Sequence, residues 1–182
     1  YLADLSPGPV QSALCWSHAR RKFFELADIK GTARKGKKVA EEISPIALDA
    51  VTRIDAIFAV EREITGLSAA ERHEVRQQRV APLVNDLHDW MRAERARMSK
   101  HNPVAKAMNY MLDGTGRWDA FTAFIDDGRL CLTNNAAERA LRGIALGRKS
   151  WLFAGSERGG DRAAFMYTLI VTAKMNDIDP QA

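Results

Sequence analysis

Cysteine is scarce in this 182-residue chain: Cys15 and Cys131 stand alone and far apart. Two isolated thiols make no disulfide framework, which points to a reducing compartment. No apolar run is long enough to span a bilayer and no signal peptide opens the sequence, so a membrane protein is not expected. An initiator Met is also missing. The chain starts Tyr1-Leu2-Ala3-Asp4 and reads as a piece of a longer protein. Nucleophile elbow, P-loop, His-Glu-x-x-His and dinucleotide fingerprint are all absent, which removes the chemistries those motifs carry. There is no internal repeat and no low-complexity tract.

What is present suits one domain, or one domain plus an insertion. Hydrophobic residues make up 46% and charged residues 27%, ordinary for a globular protein. The net charge is +4 and the isoelectric point about 9.2, a surplus that permits nucleic-acid binding without establishing it. The basic residues gather in three places: His18 to Lys22, Lys30 to Lys38, and a set of Arg139, Arg142, Arg148, Lys149, Arg158 and Arg162. Groups of this kind contact phosphates, although each cluster is also compatible with a plain solvated face. The third set sits beside Gly155-Ser156 and Gly159-Gly160, whose free amides could approach phosphate.

Periodicity predicts a mainly helical chain with short strands. Residues 10–16 read as a short buried strand, with Ser17 capping a helix from about His18 to Ile29. Ser44-Pro45 is an N-cap followed by proline at the first helical position. Ile46, Val51, Ile54, Ile57, Phe58 and Ile64 then recur at helical spacing up to Gly66. Ser68 to Glu71 is a capping box opening a helical stretch to about Met98, with Pro82 as a kink or break. Asn102-Pro103 opens another helix, and Trp118, Phe121, Phe124 and Ile125 mark a short one. Residues 40–126 thus form an all-helical block expected to bury Ile54, Ile57, Leu87, Trp90, Phe121 and Phe124. Leu130 to Leu132 and Trp151 to Phe153 read as short strands, and Gly155 to Gly160 as a flexible loop. A helix begins near Thr133-Asn134-Asn135, weakened at Gly143 and Gly147, and a last one runs from about Arg162 to Met175.

Two constellations invite a chemical reading. In Asn134-Asn135-x-x-Glu138-Arg139-x-x-Arg142, a helix places Ala137, Leu141 and Ile144 on one face, which should pack on the core. Glu138 stands at the edge of that face, with Asn135 and Arg142 one turn away on either side. It can reach into a cleft, or it can close a capping box on Asn135 and pair with Arg142 on a wet surface. Cys15-x-x-His18 is half of a zinc spacing, but zinc normally takes three or four protein ligands. Cys131, His73, His88 and His101 offer no matched spacing, so a buried thiol and a locally bonded imidazole fit better.

Cys15 to Phe24 resembles the segment that follows the second catalytic aspartate in insertion-sequence-66 (IS-66) family transposases. Thr133 to Arg142 resembles the segment holding their catalytic glutamate, and Gly147 to Ser156 the stretch after it. The three blocks stand in the family's order and bracket nearly the whole chain. The resemblance implies a DDE-type transposase: metal-dependent DNA strand cleavage and transfer by an RNase H-like domain in which Asp, Asp and Glu bind two Mg²⁺ ions, with Mn²⁺ able to substitute. It makes Glu138 the third acid and a metal ligand. It makes Asn134, Asn135, Arg139, Arg142, Arg148, Lys149, Arg20 and Arg21 DNA contacts, and Cys15 and His18 a structural signature. The implied fold class is mainly α (α+β). Residues 1–28 would be the end of the RNase H-like core, 29–127 a helical insertion, and 128–182 the glutamate helix and the C-terminal part of the core. Implied partners are transposon ends and target DNA, with a homo-oligomer on DNA, in the bacterial cytoplasm. The two aspartates are expected upstream of Tyr1, since Asp4 does not sit in the family's aspartate motif. The alternative is a non-catalytic helical nucleic-acid-binding or interaction module derived from a transposase.

Overall fold

Helix dominates wherever the backbone is described, and local chemistry accounts for most of the helix starts. The computed structural model describes residues 12–27, 44–147 and 155–181. The chain divides into two units, Tyr1–Thr133 and Asn134–Ala182.

In the first unit, α1 spans Trp16–Ala27 and α2 Pro45–Glu63. The Ser44 hydroxyl accepts the Ala47 N–H at 3.3 Å, and Pro45 needs no partner for a donor it lacks. Ala47, Ala50, Val51, Ile54 and Ile57 share the buried face of α2. Full burial of Ile54 and Ile57 is worth about 1.5–3 kcal/mol each. Helix α3, Ala69–Val75, opens with the reciprocal capping box: the Glu71 N–H donates to Ser68 Oγ, and the Ser68 N–H donates to the Glu71 carboxylate at 2.9 Å. That carboxylate is held below its usual pKa, chiefly by its hydrogen bonds at Ser68.

The helical stretch expected to run from Ser68 to Met98 is interrupted, as the position of Pro82 suggested. Arg76–Val80 forms a π-helical turn, and α4 restarts at Ala81–Ala96. The Ala81 N–H donates five residues back to the Arg76 carbonyl. Pro82 has no N–H for the carbonyl four residues before it, and its ring would crowd that carbonyl. The wider turn just before it fits this loss, and Pro82 then sits in the first turn of α4. Helices α5, Pro103–Leu112, and α6, Arg117–Asp126, follow as expected.

One core unites these helices. Trp16, Phe23, Ile54, Ile57, Leu87, Met91, Met108, Met111 and Phe121 are wholly buried within it, Phe124 nearly so, and Trp90 packs at its edge. Trp16 is central. Its ring meets Trp118, Phe121 and Phe124 edge-on at 5.8–6.3 Å, and its indole N–H donates to the Phe121 carbonyl at 2.8 Å.

The expected strands are corrected. Residues 12–15 adopt no regular structure, and Trp16 belongs to α1 rather than to a strand; residues 130–132 form an irregular segment with bends at Leu130 and Leu132. The backbone amides of these segments are satisfied otherwise: Leu14 N–H donates to Ala120 of α6 at 2.9 Å, and Trp16 N–H to Leu132 at 3.1 Å. Gln11, Ser12 and Ala13 bring little β propensity, so packing of Trp16 decides the outcome. The expected strand at 151–153 and the basic stretch 30–38 lie outside the described residues.

In the second unit, α7 spans Asn135–Gly147 and α8 Glu157–Met175. Gly143 does not break α7. A Cβ there would lie 2.3 Å from the Tyr167 hydroxyl, which donates to the Ala140 carbonyl at 2.7 Å. The glycine makes room for the bond joining α7 to α8. The expected flexible loop 155–160 is also corrected: Ser156 caps α8, accepting from Gly159 N–H at 3.1 Å, and both glycines lie within the helix.

Candidate functional site: the glutamate helix and a basic groove

Glu138 lies in the first turn of α7 and is exposed, its N–H donating to Asn134 O at 3.0 Å. Asn134 precedes the helix and Asn135 begins it. Arg139 and Arg142 follow, both exposed. Helical geometry aligns Asn135, Glu138 and Arg142 along one stripe. The face that should have packed does not do so in these helices: Ala137 and Leu141 are exposed and Ile144 is half-buried. Leu146 of α7, and Phe165, Met166 and Leu169 of α8, are exposed too. Arg148 and Lys149 lie outside the described residues.

Cys15 and His18, both half-buried, lie just before and in the first turn of α1. Among the described residues no three His, Cys, Asp or Glu side chains converge where a metal ion could be held. The residues described here therefore do not by themselves fit the pair of divalent cations that the resemblance implies.

Arg20 and Arg21 stand elsewhere, in the first unit. Arg20 forks onto Asp55 of α2, Nε to Oδ1 at 2.6 Å and Nη2 to Oδ2 at 2.8 Å. This contact holds the guanidinium above its ordinary pKa. The pair forms one wall of a groove of about 570 Å³ between α1 and α2. From α1, Ser17, Arg20, Arg21 and Phe24 line it; from α2, Asp55, Phe58 and Arg62. Sequence reading missed Phe24, Asp55, Phe58 and Arg62 as a set. The signal was available in the spacing, three and four residues apart on each helix, but not which two faces would meet.

Residues 2–162 match the model of the Transposase IS66 family. The chain belongs to that family. It is 56% identical over 174 residues to the uncharacterized protein y4hP of Sinorhizobium fredii, a match covering 96% of this chain and 31% of the relative. It is 34% identical to y4jD of the same organism over the same shares, and 36% identical to y4qI over 94% of this chain and 29% of that protein. The IS66-family chain thus spans about a third of the length of the curated relatives it matches. No solved structure matches it.

Proposed function

We propose that this chain is the glutamate-bearing part of a DDE-type transposase that cleaves and transfers DNA strands, and that Glu138 is its third acid. The observation that carries the reading is the family match across residues 2–162, which includes the Glu138 segment. The local geometry supports it. Glu138 is exposed in a helical first turn, and Arg139 and Arg142 follow it on the same helix. A first turn at the protein surface is within reach of solvent and ligands, and the arginines suit phosphates. The reading assigns DNA contacts to Asn134, Asn135, Arg139, Arg142, Arg148 and Lys149, and also to Arg20 and Arg21.

Two Mg²⁺ ions would require further carboxylates, which this reading assigns to two aspartates of the intact protein. The catalytic domain would be RNase H-like. Exposed Leu141, Leu146, Phe165 and Leu169 support a further core, since a soluble protein rarely leaves such a row uncovered. The test incubates supercoiled DNA and Mg²⁺ with the intact transposase and, separately, with this chain. The intact protein should nick and join the DNA, and the chain should do neither. No metal-dependent cleavage by the intact protein would overturn the reading. Cleavage by the chain alone that disappears in Glu138→Ala would overturn the assignment of the other two acids.

A further inference from the structure

We infer that the groove between α1 and α2 binds an unpaired DNA strand, with a base stacked on Phe24 and phosphates on Arg21 and Arg62. The identity of the polymer as DNA rests on the transposase reading; the groove's preference for an unpaired polyanion rests on its own residues.

Charge comes first. Three guanidiniums face one carboxylate, leaving two positive charges in surplus along the groove. Asp55 is engaged by both nitrogens of the Arg20 fork. Arg21 and Arg62 are exposed and form no ion pair with another described residue. They are the groups free to take up phosphate, whereas Arg20 is a wall fixed in place.

The aromatic surface decides which polyanion. Phe24 is 44% exposed, on the same face of α1 as Arg20 and Arg21. The Arg20 guanidinium lies 5.1 Å from its ring centroid, so the ring is held between a cation and solvent. Phe58 lines the groove from α2 and is half-buried. In a duplex both faces of each base are already stacked on neighbours, so an exposed phenyl ring gains little from it. An unpaired base offers a free π face, and base stacking on aromatic side chains with basic residues alongside is how sequence-tolerant single-strand sites work. Among the described lining residues Ser17 carries the one hydroxyl and none carries a side-chain amide, and with Arg21 and Arg62 engaged on phosphate the base edges go largely unread, so the site tolerates sequence. A second basic groove, formed by α4, α5 and the turn after α5, is less suited. Its Arg95 is spent on Asn109 and the Met98 carbonyl, and its one aromatic ring among the described lining residues, His88, is packed against Trp118 at 4.7 Å between centroids.

The test is fluorescence anisotropy on the 182-residue chain, using labelled oligo(dT) and a blunt duplex of equal length. Phe24→Leu should weaken oligo(dT) binding about tenfold and duplex binding less than about twofold, while Phe24→Trp retains both. Arg62→Ala should weaken oligo(dT) binding and reduce the slope of log affinity against log salt by about 0.7, the value for one lost single-strand phosphate contact. Thermal melts confirm that these exposed positions leave the fold intact. If Phe24→Leu and Arg62→Ala leave oligo(dT) binding unchanged while Arg139→Ala with Arg142→Ala abolishes it, the groove is not the site and the transposase reading stands. No binding of oligo(dT) by the parent chain even at low salt would overturn the inference outright. The transposase reading has its own readout, strand transfer by the intact protein, and fails separately.

Discussion

Arg76 is the charged residue on which the first unit should depend most. Its side chain is 1% exposed, on the π-helical turn. Nε and Nη2 each donate to the Glu61 carboxylate of α2 at 2.8 Å. Nη1 donates to the Phe124 carbonyl at 2.8 Å and the Asp127 carbonyl at 3.3 Å, and the guanidinium stacks 5.1 Å from the Phe124 ring centroid. One side chain thus ties together α2, the π turn and the end of α6. Arg76→Met keeps the stem's packing but leaves Glu61, itself 13% exposed, charged without its partner, and leaves both carbonyls without that donor. Removing one member of a buried pair costs about 3–5 kcal/mol. For a unit of this size that corresponds to a fall in Tm on the order of 10–20 °C. Circular dichroism melts measure it. The double variant Glu61→Leu/Arg76→Met removes the orphaned charge and should recover most of the loss, leaving about 1–2 kcal/mol for the carbonyls. An Arg76→Met melt within about 3 °C of the parent, or a double variant less stable than the single, would refute this account of the pin.

Other consequences are open to direct measurement. At Gly128 a Cβ would lie 1.8 Å from the Ala69 carbonyl oxygen, so Gly128→Ala must push α3 from the turn after α6. Urea unfolding should show a loss of about 1–3 kcal/mol, and an unchanged midpoint would contradict the close approach. Asp127 has its pKa lowered to about 2, first by hydrogen bonds from the Arg129 side chain and then by its backbone N–H. Because the folded value lies below the ordinary one of 3.8, this contribution to stability is present above pH 4 and is lost as pH falls toward 2. Carboxyl NMR should show Arg129→Ala returning the Asp127 titration toward 3.8, and no movement would remove Arg129 as the cause.

Local chemistry made much of the fold legible. Ser44-Pro45, Ser68 with Glu71, and Asn102-Pro103 each announce a helix start through a side-chain oxygen or a missing donor, and each start is where the residues put it. Pro82 announced an interruption, but not that a π turn would accommodate it or that Arg76 would be buried there. That depends on Glu61 and Phe124, which are distant in sequence. The strands expected around Trp16 and at Leu130 failed for a related reason. Short apolar runs do not distinguish strand from buried coil, and the Trp16 indole found its acceptor on α6. Gly143 reads as a weak point in sequence and becomes a notch for Tyr167 once α8 is in place. The candidate residues were legible as types: Glu138 with Arg139 and Arg142 on one helix, and Arg20 with Arg21 on another. The partners of Arg20 were not, because Asp55 and Arg62 belong to a helix face whose neighbour only packing determines.

The central claim is that Glu138 is an acid of the strand-transfer site, and Glu138→Gln in the intact transposase tests it most directly. The change keeps side-chain size and removes charge at an exposed position that contributes no core volume. Strand transfer from a labelled element end should collapse, with the melting temperature and DNA affinity held near parental values. Near-normal strand transfer by the Glu138→Gln protein would take Glu138 out of the site and contradict the account.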